Sequence, residues 1–469
     1  MPCRFLTGRR ARTGRIKHTG SDNNQGRGDP ERFQGFLGIF PGAWVLNRLL
    51  KIWRLFDSEE VMKPIIDDYI ADRSDVYDLT ITYEQKDYQD YVETTTNALA
   101  AGQGPDIWMI RNDWIPREYD KLQPLPEKIM TKVQYKKLFP EIVVSDNIIE
   151  DQIYGMPWSV DTLALYYNQD IFNQVRDKLE DEGKIAQDDP ILEEPPNNWS
   201  EFVRAVKLLT QKEGNEIKRS GVALGTANNI DHSIDILTAL MLQNHTQMIS
   251  DDKLTATFNL AIKKQSGEPV YAGTKALEFY KSFSNPDKEV YTWNENMPNS
   301  TTAFIEGKTA MMFHYSYIQK DMFERAPTFN YSIAPLPQIK DSPKAIDYSS
   351  YWVETVTNNC NNPEVAWDFI NYVRNKKLND YLKATKRPSP YKIADEDVPI
   401  VKERYDNQSK TFSFQLNNAQ NWYKGKFPRK IDAIFKNLIE NVTIHGQEPQ
   451  AAIDAAANRT TTWLRKEPY

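Results

Sequence analysis

GPDIWMI at Gly104–Ile110, YGMPWSVDTLALYYN at Tyr154–Asn168 and TAFIEGKTAMM at Thr302–Met312 are three apolar runs, each entered through a turn. The first two lead to acids and aromatics at chain turns. Upstream of the first run, Arg48–Phe56 reads as a strand, and Asp57 with Glu60 has capping-box spacing for a helix that buries Val61, Ile65 and Tyr69. Leu79–Gln85 alternates as a second strand, Asp87–Ala101 is helical with Gly102 as its cap, and DIWMI is the third strand. Strand, helix, strand, helix, strand at this spacing is a parallel α/β unit. Ligands of such sheets gather beyond the C-terminal ends of the strands, where Phe56, Asp57, Asp113 and Trp114 fall.

The pattern restarts after Asn168. Asn198 or Ser200 caps a helix that turns Phe202, Val206 and Leu209 inward, and Ser220–Gly225 follows as a strand. Helices are predicted over Ser233–Gln243 and Thr274–Phe283, and one more ends at Gly307 before the strand TAMMFHY. A strand VETVTNN, a helix from Pro363 and a helix carrying Ile431, Ile434, Phe435 and Leu438 complete the body. Trp53, Trp108, Trp199 and Trp367 read as packing residues, and Met311 and Met312 as core.

The chain has 469 residues, enough for two large lobes. Its net charge is −7, but residues 1–48 hold nine Lys or Arg against three Asp or Glu, which leaves the body near −13. An acidic body argues against a nucleic-acid surface. Cys3 and Cys360 are the only cysteines, so no disulfide framework is expected. Phe33–Leu46 has the outline of an apolar leader region behind Arg-rich sequence, but glycines and Pro41 interrupt it. Residues 1–47 are read as an atypical leader or tail, or as an incorrectly assigned gene start. Cys3 lacks the apolar segment of a lipoprotein signal, and Arg9-Arg10 lacks the context of a twin-arginine one.

Aromatic residues make up 12% of the chain, with 24 Tyr and 11 Trp, more Tyr than a core requires. Aromatic rings beside carboxylates and amides at chain turns offer apolar faces with hydrogen-bonding edges, which suit a small ligand that has both kinds of surface. Asp57, Asp113, Asp161, Asn229 and Asp231 are the polar candidates; Phe56, Trp114, Tyr315, Tyr317, Trp352 and Trp422 are the aromatic ones. Asp57 serves equally well as a helix cap, and Asp161 as the cap of a turn. The five histidines show no ligand spacing, and no nucleophile elbow, phosphate loop or dinucleotide fingerprint is present.

The order and wording of the three opening runs resemble the extracellular solute-binding proteins of ABC importers, particularly the sugar-binding group that includes the maltose-binding protein. The resemblance covers roughly Leu49 to the C-terminus. It implies an α/β fold of two lobes, each a mainly parallel sheet flanked by helices, with a ligand cleft between them. Matched motifs place chain crossings near Asp161, Leu336 and Pro390, so that residues 48–161 with 339–390 form one lobe and 162–338 with 391–469 the other. By the same matching, Asp113, Asp161, Tyr315, Tyr317 and the pair Trp422-Tyr423 fall at ligand-contacting positions, and Thr226–Asp235, with Asn229 and Asp231, in a contact loop. The implied protein is not an enzyme and needs no cofactor. It is an extracytoplasmic, monomeric subunit that carries a mono- or oligosaccharide to an ABC permease. The sequence Tyr315-Ser316-Tyr317 after His314 departs from the commoner pattern of that group. A polyamine binder shares the aromatic walls and aspartates. A glycosidase would show a similar acidic cleft, and a polysaccharide adhesin would bind without transport.

Overall fold

A computed structural model describes residues 46–186, 188–214, 216–263, 267–392 and 407–466. Residues 1–45, with Cys3, Arg9-Arg10 and nearly all of the leader-like segment, lie outside the described residues. From Leu46 onward the chain forms one compact unit.

The first lobe is built on a five-stranded sheet. The strand Leu46–Arg54 pairs in parallel with Tyr77–Gln85 on one side and Ile107–Arg111 on the other. A return strand, Trp352–Thr357, comes from nearly 250 residues later and lies antiparallel between Ile107–Arg111 and Leu122–Gln123. Helices Glu59–Arg73, Tyr91–Ala100 and Pro363–Tyr372 cover the sheet, and Gly102 leaves the second of them at φ +70°, the left-handed conformation expected of a glycine cap. Pro64 sits inside the first helix without ending it.

The second lobe departs from a mainly parallel sheet. Ala164–Asn168 lies between Met311–His314 and Tyr331–Ala334, and both pairings are antiparallel. Ser220–Gly225, expected as a strand, instead runs beside Met311 irregularly. It makes one parallel bridge to Thr309 and a bond from Ala223 N to Met311 O of 3.1 Å. Gly221 packs so closely on the helix Trp199–Leu209 that a Cβ there would stand 2.6 Å from Val206 O, so the position requires glycine. Asn198 caps that helix as expected, accepting from the backbone N–H groups of Ser200 and Glu201.

Two separate hydrophobic cores result. One gathers Leu50, Ile52, Trp108, Ile110, Trp158, Val353 and Trp367; the other gathers Leu165, Phe202, Leu237, Met311, Leu336, Tyr348 and Phe435. Two adjacent segments pass between them, joined by antiparallel bridges Met156 to Glu354 and Thr162 to Ser349. One passage runs through Asp161-Thr162. The other runs through Ser349-Ser350, later than the crossing expected near Leu336, because Leu336 and Tyr348 are still buried in the second core. Past Pro390 the chain enters residues 393–406, outside those described.

The four tryptophans read as packing residues are all buried. Trp199 stands edge-on to Phe202 and Phe279 and donates its Nε1 to Gln243 Oε1 at 2.6 Å. Trp199→Ala is expected to lower unfolding stability in urea by about 3–5 kcal/mol. Phe323→Ala, at a ring 69% exposed, should change it by less than about 0.5 kcal/mol.

Candidate functional site

Where the two segments pass between the cores, a cavity of about 600 Å³ opens. Phe56, Tyr88, Trp158 and Trp352 line it from the first lobe, and His232, Asp235, Tyr315 and Tyr317 from the second. Phe56, Tyr88 and Trp352 form a triangle of rings, with Phe56 and Trp352 edge to face at 5.1 Å. Tyr317 is 47% exposed, lies roughly parallel to Tyr315 at 6.5 Å and meets His232 Nε2 through its hydroxyl at 3.0 Å. Tyr315 donates to Asp235 Oδ2 at 2.9 Å, which fixes its ring against the second core.

The floor of the cavity is charged. Arg54 follows Leu50 and Ile52 on the inward face of the first strand and is fully buried, with its guanidinium 4.3 Å over the ring of Trp158. Its Nη2 donates to Asp57 Oδ2 at 2.6 Å and its Nη1 to Glu354 Oε1 at 2.7 Å. Tyr381 donates to Asp57 Oδ2 at 3.1 Å and accepts from Arg387 Nη1 at 2.6 Å. Asp57 was a candidate for both pocket and cap. Ser58 stands at the helix N-cap without a side-chain bond, and Asp57 is held by the two guanidiniums instead. Burial alone would raise the Asp57 carboxyl, but Arg387 and Arg54 overcome it and hold it below the usual range.

Asp161 lines the cavity at the passage itself. It accepts from Ser316 N at 2.9 Å, Ser316 Oγ at 2.6 Å and Thr162 N at 3.0 Å, so it ties one passing segment to the second lobe. Burial pushes its pKa up to about 6 against those donors.

Five of the expected site residues do not line this cavity. Asp113 is taken up by Arg111 at 2.5 Å and faces Lys424 at 3.6 Å, while Asp432 bonds Lys424 at 2.7 Å and Arg111 at 2.8 Å. These alternating charges join the two lobes beside a second hollow of about 450 Å³ that Asp113 and Trp422 do line. Trp422 is 7% exposed and packs on Phe258 and Phe435 in the second core, so the side chain expected as a ligand platform is a core residue. Trp114 is buried behind Trp352, edge-on at 5.2 Å, and supports that ring. Asn229 holds its own loop by donating to Asn294 O and Met297 O, and Asp231 accepts from Asn299, Ser300 and Thr301 at a helix start. Both are bonded within their own loop, and neither lines the cavity.

The loop Thr226–Asp235 does reach the cavity, but through His232 and Asp235 rather than Asn229 and Asp231, and the reading of motifs missed Tyr88, Trp158, Glu354, Tyr381 and Arg387, which also line it. Among the described residues no cluster of three or more His, Cys, Asp or Glu is placed to hold a metal ion, and no helix is long and apolar enough to cross a membrane.

Residues 65–403 match the bacterial extracellular solute-binding protein family, and the chain belongs to that family. A binding protein of Brucella abortus is 20% identical over 395 residues, covering 83% of this chain and 86% of the relative. Among solved structures, the sugar-binding protein MalE of Xanthomonas citri superposes with a TM-score of 0.69 at 18% identity, over 89% of this chain and 98% of that one. An ABC transporter solute-binding protein of Thermotoga lettingae bound with α-D-tagatose does so at 0.66 and 18% identity, over 89% of this chain and all of that one. These likenesses establish the two-lobed binding-protein fold, and the family is one of binding proteins.

Burial holds Asp146 and Asp161 protonated to about pH 6, and Asp347 and Glu354 to about pH 7, where unfolded carboxyls release protons near pH 4. Stability from these four groups is present below about pH 4 and is lost as pH rises through 6 and 7. Asp57 and Asp432 have the opposite sign, losing their contribution only below about pH 4, and His314, lowered to about 3 by burial, gains stability as pH rises toward about 6.5, a single group against the four raised carboxyls. The melting temperature of the ligand-free protein should therefore fall between pH 5 and pH 8. A rise across that interval would contradict the assignment.

Proposed function

We propose that this chain is the substrate-binding subunit of a carbohydrate ABC importer, extracytoplasmic and monomeric, which captures a mono- or oligosaccharide between its lobes and delivers it to a permease. The observation that carries this reading is the composition of the cavity, where rings from both lobes surround a floor of hydrogen-bonding groups. Phe56 and Tyr317, 44% and 47% exposed, offer ring faces to the apolar side of a sugar, and Trp352 extends the same wall. The residues proposed to contact ligand are Phe56, Asp57, Asp161, Tyr315, Tyr317 and Trp352 from the original candidates. Tyr88 and Arg387 join them on geometry.

The lobe division that fits this role places residues 48–161 with the return segment from Ser350 in one lobe and residues 162–349 with the C-terminal helices in the other. Closure of the lobes about the paired segments at Asp161 and Ser349 would bury the ligand. A polyamine fits less well, because Asp57 and Glu354, the floor carboxylates that would pair an ammonium group, are already paired with Arg54 and Arg387.

Tryptophan fluorescence titration with maltose, maltotriose, mannobiose, tagatose and putrescine tests the reading. At least one saccharide should saturate the protein, with little dependence on salt, and putrescine should not. Tyr317→Ala should weaken that saccharide by roughly ten- to a hundredfold, about 1–3 kcal/mol, for loss of one ring contact. Saturation by putrescine alone would overturn it in favour of the polyamine reading.

A further inference from the structure

The acids on the cavity floor differ in what remains for a ligand. Asp57 is engaged by Arg54, Arg387 and Tyr381, and Asp161 by the backbone and hydroxyl of Ser316 and by Thr162. Glu354, on the return strand where it bridges to Met156, is 1% exposed and lines the cavity. Its Oε1 accepts from Arg54 Nη1 at 2.7 Å. Its Oε2 is buried with no hydrogen-bond partner among the described residues. A buried carboxylate oxygen left without a donor is costly, and such an atom in a cavity wall marks a place where a donor arrives from outside the chain.

We propose that Glu354 Oε2 is the anchoring acceptor for one hydroxyl of a neutral saccharide, and that Glu354 sets the deep end of the site. This rests on the reading of the cavity as a sugar site and adds to it the atom that fixes the ligand's depth. The groups around Glu354 decide the chemistry of the donor. Arg54 faces it from the first strand, Asp57 from the loop that follows, Tyr83 and Tyr91 from the second strand and second helix, and Tyr381 and Arg387 from the far end of the lobe. Arg54 and Arg387 are matched by Asp57 and by Glu354 itself, so the charges here are balanced within the chain and a neutral O–H can meet Oε2 without adding an unmatched charge. A hydroxyl bond to an ionised carboxylate is also the stronger, charge-assisted kind.

Burial raises Glu354 to about 7 against the pull of Arg54, so the empty site is partly protonated near neutrality. A ligand hydroxyl that donates to the carboxylate favours the ionised form. Binding should then release a fraction of a proton near pH 7, and affinity should rise between pH 6 and pH 8.

The test is isothermal titration calorimetry of the full chain with maltose, maltotriose, mannobiose and tagatose at pH 6, 7 and 8, in buffers of different ionisation heat, for the unaltered protein and for Glu354→Gln. The expected result is a several-fold gain in affinity from pH 6 to pH 8 with proton release in the unaltered protein. Glu354→Gln should bind roughly tenfold more weakly, with the pH dependence and proton release gone. Asp161, the other carboxyl at the passage that is raised to about 6, stays intact in that variant, so a pH dependence that survives there would assign the linkage to it and overturn the proposal. Should Glu354→Gln unfold because Arg54 has lost its partner, Asp161→Asn decides: proton release that persists in it supports Glu354, and release that is lost in it, or absent from the unaltered protein, overturns the proposal. Saccharide binding that is indifferent to both pH and the substitution overturns the Glu354 assignment alone. Failure of every saccharide to bind the unaltered protein overturns the sugar reading and this assignment together.

Discussion

A single buried guanidinium organises the first lobe. Arg54 joins the end of the first strand to the loop at Asp57, to Glu354 on the return strand and, through Tyr381, to the helix Leu378–Thr385, while its flat face lies on Trp158. The partners are 3, 300 and 327 residues away in sequence. Moving such a charge out of water costs several kcal/mol, which two carboxylates, a hydroxyl and a ring face together offset. Removing any one carboxylate would leave the rest of the cluster uncompensated. The same residues floor the cavity, so the interaction that closes the first lobe also determines what the cavity can bind.

The geometry of the passage follows from that arrangement. Glu354 and Met156 bridge on the first-lobe side, and Ser349 and Thr162 on the second-lobe side, so two short antiparallel contacts set the two paths between the cores side by side. Asp161 adds a fastening to Ser316 at the edge of the second core. Beside the cavity, whose lining Arg111 reaches, Arg111, Asp113, Lys424 and Asp432 alternate in sign across the lobes, and Arg429 lies 5.1 Å over Trp114. Polar contacts join the lobes at these points, and such contacts exchange more readily than an apolar core, as the closure proposed above would require.

Much of this fold was legible because period and punctuation agreed. Asn198, Gly102 and Gly307 end or begin helices where their chemistry says they should, and the alternation in Leu79–Gln85 marks a strand. The parallel reading of the second lobe failed because Ala164–Asn168 pairs antiparallel with Met311–His314 and with Tyr331–Ala334, long-range pairings no local pattern reports, while Ser220–Gly225 keeps only one parallel bridge, to Thr309. The cavity was legible in part: Phe56, Asp57, Asp161, Tyr315, Tyr317 and Trp352 all line it. Glu354, Tyr381 and Arg387 were not found because each is unremarkable among its neighbours and becomes a wall residue only through Arg54. One signal was available, since Arg54 shares strand parity with the buried Leu50 and Ile52 and so had to face inward. Trp422 was misplaced for the converse reason. A tryptophan beside polar residues looks displayed, but Phe258 and Phe435 enclose it.

The central claim is that one neutral sugar sits between the lobes, with its ring against the aromatic wall and its hydroxyls toward the charged floor. A crystal structure of the complex with the tightest-binding saccharide tests this most directly. The account predicts sugar density between Phe56, Trp352 and Tyr317 with one hydroxyl within hydrogen-bond distance of Glu354 Oε2. Density confined to the hollow beside Trp422 and Asp113, with the cavity at Glu354 holding only water, would contradict it.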